Sequence, residues 1–199
     1  MKIYGDVQSG NCYKLKLICA LLNLEYEWIH VDILKGETRS EAFLALNPNG
    51  QIPVCVTDRD EILTESNSIL YYLAANSHFW PDDRLLQTRV LQWQFFEQYN
   101  HEPSIAVARF IKLYQGMPDH RKDEYQQKIK SGKRVLAQMN QHLTEHQFFV
   151  GDSCTTADIS LYAYTHVAEE GGFILADYPA ILNWLERIQN LPGYCGMRD

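Results

Sequence analysis

The sequence predicts a protein of two parts, an α/β unit at the N-terminus followed by an all-helical unit. Up to about residue 75, short runs of β-branched and aromatic residues alternate with stretches of helical spacing. From residue 84 onward there is no convincing strand pattern, and long amphipathic helical patterns follow one another. We place the boundary where Pro81 and two aspartates interrupt the pattern, and we predict domains at residues 1–78 and 84–199.

The first half opens with a strand, a helix and a second strand. We predict the first strand at Lys2–Tyr4, a helix at Cys12–Leu22 from its apolar spacing, and the next strand at Tyr26–Val31. A short helix at Ser40–Leu46 follows, and the turn-forming residues Asn47–Gly50 end it.

A hairpin and a helix close this half. Ile52–Thr57 and Glu61–Thr64 are predicted strands joined by a short polar turn, and Ser66–Ala75 is a predicted helix. The order is therefore β-α-β-α-β-β-α, in which the first three elements give a parallel pair and the hairpin adds antiparallel strands. This is the order of a thioredoxin-like domain.

The second half consists of four helical patterns. The first is long, at Arg84–Tyr114, and Pro103 in its interior predicts a kink or break near residues 101–103. The other three are Lys122–His142, Thr155–Glu169 and a last helix introduced by Tyr178-Pro179 that runs to about Asn190.

Composition and charge exclude several classes of function. The net charge is −7 and no basic stripe occurs, which argues against a nucleic-acid partner. No stretch approaches the roughly 18 apolar residues of a membrane span. The chain opens without a secretory signal pattern, and its 5 cysteines show no C-x-x-C pair or zinc spacing. We therefore expect a cytoplasmic protein with free thiols, no metal and no membrane partner.

A proline opens the third predicted strand. Pro53 cannot donate to the sheet and forces Ile52 into an extended conformation. If the Ile52–Pro53 bond is cis, the Ile52 amide and carbonyl are left free to pair with the backbone of another peptide. The alternative is an ordinary trans bond at a strand edge, which is far more common.

Glu65 and Ser66 stand immediately before the helix that closes this half. As an N-cap, Ser66 would combine with the neighbouring N–H groups and the helix dipole to bind a carboxylate. Glu65 beside it could bind an ammonium group. A γ-glutamyl peptide carries both groups on one carbon. The alternative is a plain serine cap preceded by a solvated glutamate.

Together, Q-I-P at residues 51–53 and E-S-x-x-I-L at residues 65–70 resemble the glutathione site of bacterial-type cytosolic glutathione S-transferases. The resemblance extends over residues 1–199, including the size and the all-helical second half. It implies that the residue before the cis-proline, Ile52 before Pro53, pairs with the cysteinyl backbone of glutathione. It also implies that Glu65 and Ser66 hold the γ-glutamyl end. The weaker candidates for the glycyl carboxylate are Gln51 and Lys35, of which Lys35 could equally be a solvated loop lysine.

The segment before the third helical pattern of the second half also resembles this family. Thr155 as N-cap and Asp158 three residues later form a capping box, in which each side chain satisfies the other residue's backbone donor. Its expected role is in folding.

Activation of the glutathione thiol requires a donor that favours the thiolate. Aligned on the following helix, Ser9 falls where the serine-using classes carry their catalytic serine, and Asn11 is a second donor. Either residue could instead be the N-cap of that helix. Cys12 lies one step into the helix and is expected to be a buried small hydrophobe, and we discount Tyr4 and Tyr13. The site is therefore expected to be of the serine or asparagine type, not the tyrosine type.

The resemblance implies a detoxifying transferase in which the thiolate of glutathione attacks a small hydrophobic electrophile. His101 and Arg109 are candidates for the electrophile pocket, which is expected between the domains. A homodimer is expected, with the helices at Ser66–Ala75 and Arg84–Tyr99 at its interface. Two alternatives stay open: a glutathione-dependent peroxidase or disulfide reductase, and a non-catalytic scaffold or binding protein with the same fold.

Overall fold

The computed structural model describes residues 1–199, which separate into two units. The N-terminal unit comprises Met1–Ser77 together with Leu191–Asp199, and the helical unit comprises His78–Asn190. A thioredoxin-like domain and an all-α domain were expected, and both are confirmed.

The last residues of the chain differ from the predicted domain division. The predicted helical domain ran to residue 199, whereas Leu191–Asp199, here called the C-terminal strap, groups with the N-terminal unit. The hydroxyl of Tyr13 donates to the carbonyl of Cys195 at 2.8 Å. Lys16 Nζ donates to two further strap carbonyls at 3.3 and 2.6 Å. These contacts bind the strap to the first helix of the N-terminal unit, and no local pattern in the strap encodes them.

A four-stranded mixed sheet forms the centre of the N-terminal unit, with strand order β2-β1-β3-β4. The strands are β1 (Lys2–Gly5), β2 (Glu27–His30), β3 (Val54–Val56) and β4 (Ile62–Leu63). The β1–β2 pair is parallel, and the β1–β3 and β3–β4 pairs are antiparallel. The parallel pair and the hairpin expected from the sequence are both present.

Three helices complete this unit: α1 (Gly10–Leu21), α2 (Glu41–Leu46) and α3 (Ser66–Ala74). Helices α1 and α3 pack against each other through fully buried aliphatic side chains, and α2 contributes Phe43 to a cluster with Val31 and Val54. Ile52 packs against this cluster. The hydrophobic core therefore fixes the position of the loop that precedes β3.

The helical unit contains α4 (Arg84–Phe96), α5 (Glu102–Arg109), α6 (Lys122–Glu145), α7 (Thr156–Thr165) and α8 (Pro179–Gln189). The interruption predicted near residues 101–103 is present, because the long helical pattern is divided into α4 and α5 there. Pro103 occupies the first turn of α5, directly after a π-helical turn at Glu97–His101. Proline is tolerated there because the wider turn has already interrupted the regular backbone hydrogen bonds. No helix of the structure has both the length and the apolar character needed to cross a membrane.

The predicted capping box at the start of α7 is confirmed. The fully buried Asp158 carboxylate accepts hydrogen bonds from the backbone N–H groups of Phe149 and Thr155, at 3.0 and 2.9 Å. It also accepts from the Thr155 hydroxyl and from Trp184 Nε1, both at 3.0 Å. Burial raises the pKa of Asp158 to about 6, and these hydrogen bonds oppose the rise. One carboxylate thus joins α7, α8 and the loop before α7.

Candidate functional site

Ser9 and Asn11 lie at the N-terminus of α1. Ser9 is the N-cap, and its Oγ accepts from the backbone N–H of Cys12 at 3.4 Å. Accepting this bond leaves the Ser9 hydroxyl proton free for donation. The first turn of α1 contains no acidic residue, so no side chain of that turn opposes the positive end of the helix dipole. A cap role and a thiolate-donor role are therefore compatible in Ser9.

Cys12 and Tyr13 are the other reactive side chains of this segment, and both are part of the packed interior. Cys12 is fully buried, and burial raises the pKa of its thiol to about 12. Tyr13 is also buried and donates to the C-terminal strap. The burial of Cys12 agrees with its expected role as a small buried hydrophobe, and the absence of a role for either residue at the glutathione thiol stays a prediction.

The loop before β3 has the backbone arrangement that the sequence allowed. The Ile52–Pro53 bond is cis, and the backbone amide and carbonyl of Ile52 make no backbone hydrogen bond within the chain. Buried Asn47 holds the loop, because its Nδ2 donates to the carbonyl of Gln51 at 2.7 Å. The side chain of Gln51 is exposed. The loop thus offers one free backbone donor and one free acceptor at Ile52.

Of the candidate cations for this site, Arg39 adjoins the loop before β3, whereas Lys35 is paired with Asp32. Lys35 pairs with Asp32 at 3.0 Å, and 76% of its side chain is exposed. Arg39, which the sequence analysis missed, donates from Nη1 to the carbonyl of Asn49 at 3.2 Å. It lies against Gly50, where an added Cβ would be 2.5 Å from Arg39 Nη1. Arg39 belongs to no motif, and only the folded loop shows that it adjoins the Q-I-P segment.

Helix α3 begins at Ser66, as predicted, but its N-cap is Glu65, one position earlier than the predicted cap Ser66. Glu65 takes the N-cap position with φ 64° and ψ 112°, outside the usual regions for a residue with a side chain. No side chain caps this helix. Ser66 is its first helical residue and not the N-cap, because its hydroxyl is used by other side chains. The N-terminal amide groups of α3 therefore lie beside an exposed carboxylate.

Lys14 is the second residue that sequence reasoning missed. Although charged, it is fully buried on α1, and its Nζ donates to Ser66 Oγ at 3.2 Å and to Asn67 Oδ1 at 3.4 Å. Ser66 in turn donates to Asn11 Oδ1 at 3.3 Å. Lysines are almost never fully buried without a partner, so the only sequence signal is the position of Lys14 within an apolar stretch of α1. The structure thus brings Asn11, Lys14 and Ser66 into one hydrogen-bonded cluster.

His101 and Arg109 lie in the interior of the helical unit. His101 is fully buried, with Nε2 2.8 Å from the hydroxyl of Thr165. Arg109 is 2% exposed, and its Nε donates to Glu170 Oε2 at 2.6 Å. These contacts tie the α5 region to α7 and the turn after it. The role of both residues in an electrophile pocket stays a prediction.

Comparison with known proteins gives matches over most of the chain. The family models described as "Glutathione S-transferase, N-terminal domain" and "Glutathione S-transferase, C-terminal domain" match residues 8–76 and 104–192. A glutathione S-transferase-like protein, tpcF of Aspergillus fumigatus, is 28% identical over 221 residues, covering 99% of this chain and 94% of the relative.

Solved structures match over the full length. A glutathione S-transferase from Pseudomonas fluorescens Pf-5 superposes with a TM-score of 0.98 and 55% identity, covering 100% of this chain and 98% of that chain. A glutathione transferase from Phanerochaete chrysosporium in complex with oxidised glutathione gives a TM-score of 0.87 and 25% identity, covering 96% and 91% of the two chains.

Proposed function

Because the chain belongs to the glutathione S-transferase family, we propose that it binds glutathione and stabilises its thiolate for attack on a small hydrophobic electrophile. The observation that carries this proposal is the start of α3. There the Glu65 carboxylate lies next to uncapped helix amide groups. The γ-glutamyl end of glutathione has an ammonium group that can pair with the Glu65 carboxylate and a carboxylate that can accept from the helix amide groups.

The backbone of Ile52 is suited to the cysteinyl residue of glutathione. Its free amide and carbonyl can form the two hydrogen bonds by which an added strand pairs with a sheet. For the glycyl carboxylate we add Arg39 to the predicted Lys35 and Gln51, because its guanidinium adjoins the same loop. Lys35 is already paired with Asp32, which favours Arg39 for this role.

The thiol of bound glutathione is assigned to the N-terminus of α1. Hydrogen bonds from Ser9 and Asn11, with the helix dipole, would lower the thiol pKa from its ordinary value of about 8.5. The protein then contributes a larger thiolate fraction and the proximity of the two reactants. The buried Cys12 argues against a mechanism through a protein thiol, although a reductase reaction that uses two glutathione molecules would need only the same site.

The Glu65→Ala variant tests glutathione binding. We expect its dissociation constant for glutathione, measured by calorimetric titration, to rise roughly 10- to 100-fold, since a hydrogen bond to a charged group contributes about 1.5–3 kcal/mol. Glu61→Ala is the matched control, because Glu61 is also exposed and is close in sequence but lies in the hairpin. Its affinity should stay within about twofold of the parent.

Two outcomes would contradict this assignment. Equal affinity in the parent and in Glu65→Ala would remove Glu65 from the γ-glutamyl site. A folded parent that shows no heat of binding with glutathione would favour the scaffold alternative. If glutathione binds, initial rates with an aryl halide and with a glutathione mixed disulfide decide between transferase and reductase.

We also propose a homodimer that uses the exposed face of α4 and of the π-helical turn that follows it. Leu91, Phe95 and Tyr99 are spaced four residues apart and are 40%, 68% and 86% exposed. Such an apolar row on a surface helix is typical of a covered interface. Sedimentation velocity should show a dimer for the parent and a monomer for Phe95→Glu. Leu182→Glu, a similar change at an exposed position of α8, should remain dimeric. A dimeric Phe95→Glu would exclude this face.

A further inference from the structure

A chain of hydrogen bonds connects the start of α3 to the start of α1. Lys14 Nζ donates to Ser66 Oγ at 3.2 Å, and Ser66 Oγ donates to Asn11 Oδ1 at 3.3 Å. Lys14 is fully buried and Ser66 is 5% exposed, so water competes little for these bonds. We call these three residues the Lys14 relay.

The direction of the relay follows from its chemistry. An ammonium group can only donate, so the Ser66 oxygen must accept from Lys14. The single Ser66 proton then goes to Asn11 Oδ1. The amide of Asn11 is thereby held by its oxygen, and its NH₂ group faces away from Ser66. No group of the chain accepts a hydrogen bond from this NH₂ group, and Asn11 is only partly buried.

We propose that the Lys14 relay positions the thiol donor: Lys14 and Ser66 hold the Asn11 amide with its NH₂ group directed at the thiol of glutathione. Lys14 is thus a positioning residue. Ser66 would serve the γ-glutamyl end through its backbone N–H at the start of α3, and thiol activation through its hydroxyl. This inference rests on the proposed glutathione site. It adds that the pKa of the bound thiol depends on Lys14 and Ser66, which lie at the γ-glutamyl end of that site.

Fixing the amide matters because its two ends have opposite effects on a thiolate. The NH₂ group donates to the negative sulfur, whereas the carbonyl oxygen repels it. An asparagine without a partner on its oxygen can present either end. Loss of the relay should therefore lower the thiolate fraction at a given pH while leaving Asn11 in place.

The test is the pKa of the bound thiol, followed by its ultraviolet thiolate absorbance at saturating glutathione. We expect Ser66→Ala and Lys14→Met each to raise this pKa by about one unit, which is about a tenfold lower thiolate fraction below the pKa. Asn67→Ala is the control, because Asn67 accepts from Lys14 but lies outside the relay. It should leave the thiol pKa unchanged.

The Asn11→Ala background separates the relay from a general structural effect. There, Ser66→Ala should cause no further shift of the thiol pKa, since the group that it positions is gone. The relay would be overturned if Ser66→Ala left the thiol pKa unchanged. It would also be overturned if Ser66→Ala shifted this pKa equally in the parent and in the Asn11→Ala background. If Lys14→Met fails to fold, Ser66→Ala decides alone, because it removes only one hydroxyl.

S-methylglutathione, which has no ionisable thiol, separates the two proposals. If the parent binds neither glutathione nor S-methylglutathione, the proposed function is wrong. If Ser66→Ala weakens binding of both ligands equally and the bound thiol pKa does not move, the Ser66 hydroxyl serves only the γ-glutamyl carboxylate. In that case the glutathione site stands and the relay does not.

Discussion

The Asp158→Ala variant is expected to be destabilised by about 4 kcal/mol or more, a large fraction of the roughly 5–15 kcal/mol that stabilises a typical protein. The substitution leaves the backbone N–H groups of Phe149 and Thr155 and the Nε1–H of Trp184 without their acceptor in the core. Each buried donor without a partner costs about 1–3 kcal/mol. Helix α7 is buried at every position, so water cannot reach these donors to replace the lost carboxylate.

Urea unfolding followed by circular dichroism measures this effect. Asp152→Ala is the matched control, since Asp152 lies in the preceding turn and is exposed; it should change the free energy of unfolding by less than about 0.5 kcal/mol. The free energy of unfolding of Asp158→Asn should fall between those of Asp158→Ala and Asp152→Ala, because the amide oxygen of asparagine can still accept a hydrogen bond while its nitrogen cannot. A free energy within 1 kcal/mol of the parent in Asp158→Ala would show that the capping box is dispensable.

Removing both thiol donors is expected to have the largest effect on activity. In the Ser9→Ala/Asn11→Ala double variant, kcat/KM with an aryl halide should fall at least about 100-fold near neutral pH. Each donor to a charged sulfur contributes about 1.5–3 kcal/mol, and roughly 1.4 kcal/mol is a factor of ten in rate. The lost donors raise the thiol pKa, so the acidic limb of the pH–rate profile should move to higher pH. The rate should recover toward the parent value once the pH exceeds the new pKa.

The single variants rank the two donors. Ser9→Ala also removes the N-cap of α1, so its stability has to be measured beside its rate. Ser40→Ala is the matched control, because Ser40 caps α2 through an equivalent bond to Phe43 N at 3.3 Å and lies outside the proposed thiol site. A normal rate in the double variant would remove both residues from thiol activation.

Local patterns were enough to predict the order of the elements. Alternation of apolar residues and turn-forming residues is a property of short windows, and each strand and helix of the N-terminal unit lies within the segment predicted for it or differs at its ends by a few residues. The Thr155–Asp158 box was also predictable, since its two residues are three positions apart and satisfy each other.

Contacts between distant segments were not predictable in the same way. Lys14 and Ser66 are 52 positions apart, and nothing near Lys14 indicates that its ammonium group is buried. Arg39 adjoins the Q-I-P loop only after α2 has folded back on the sheet. The shift of Ser66 from N-cap to first helical residue has the same origin, because its hydroxyl is taken by α1. Sequence reasoning therefore proposed candidate residues for the site, but it could not predict the hydrogen bonds that connect them.

Because the C-terminal strap belongs to the N-terminal unit, synthesis of this unit starts before that of the helical unit but ends after it. The segment that carries Ser9, Asn11 and Lys14 leaves the ribosome before the helical unit. The strap that binds α1 through Tyr13 and Lys16 emerges only after the whole helical unit. A nascent N-terminal unit therefore exposes the strap-binding side of α1 throughout translation. The N-terminal unit is thus completed only after the helical unit has been synthesised, and a ribosome that stalls before residue 191 leaves it incomplete.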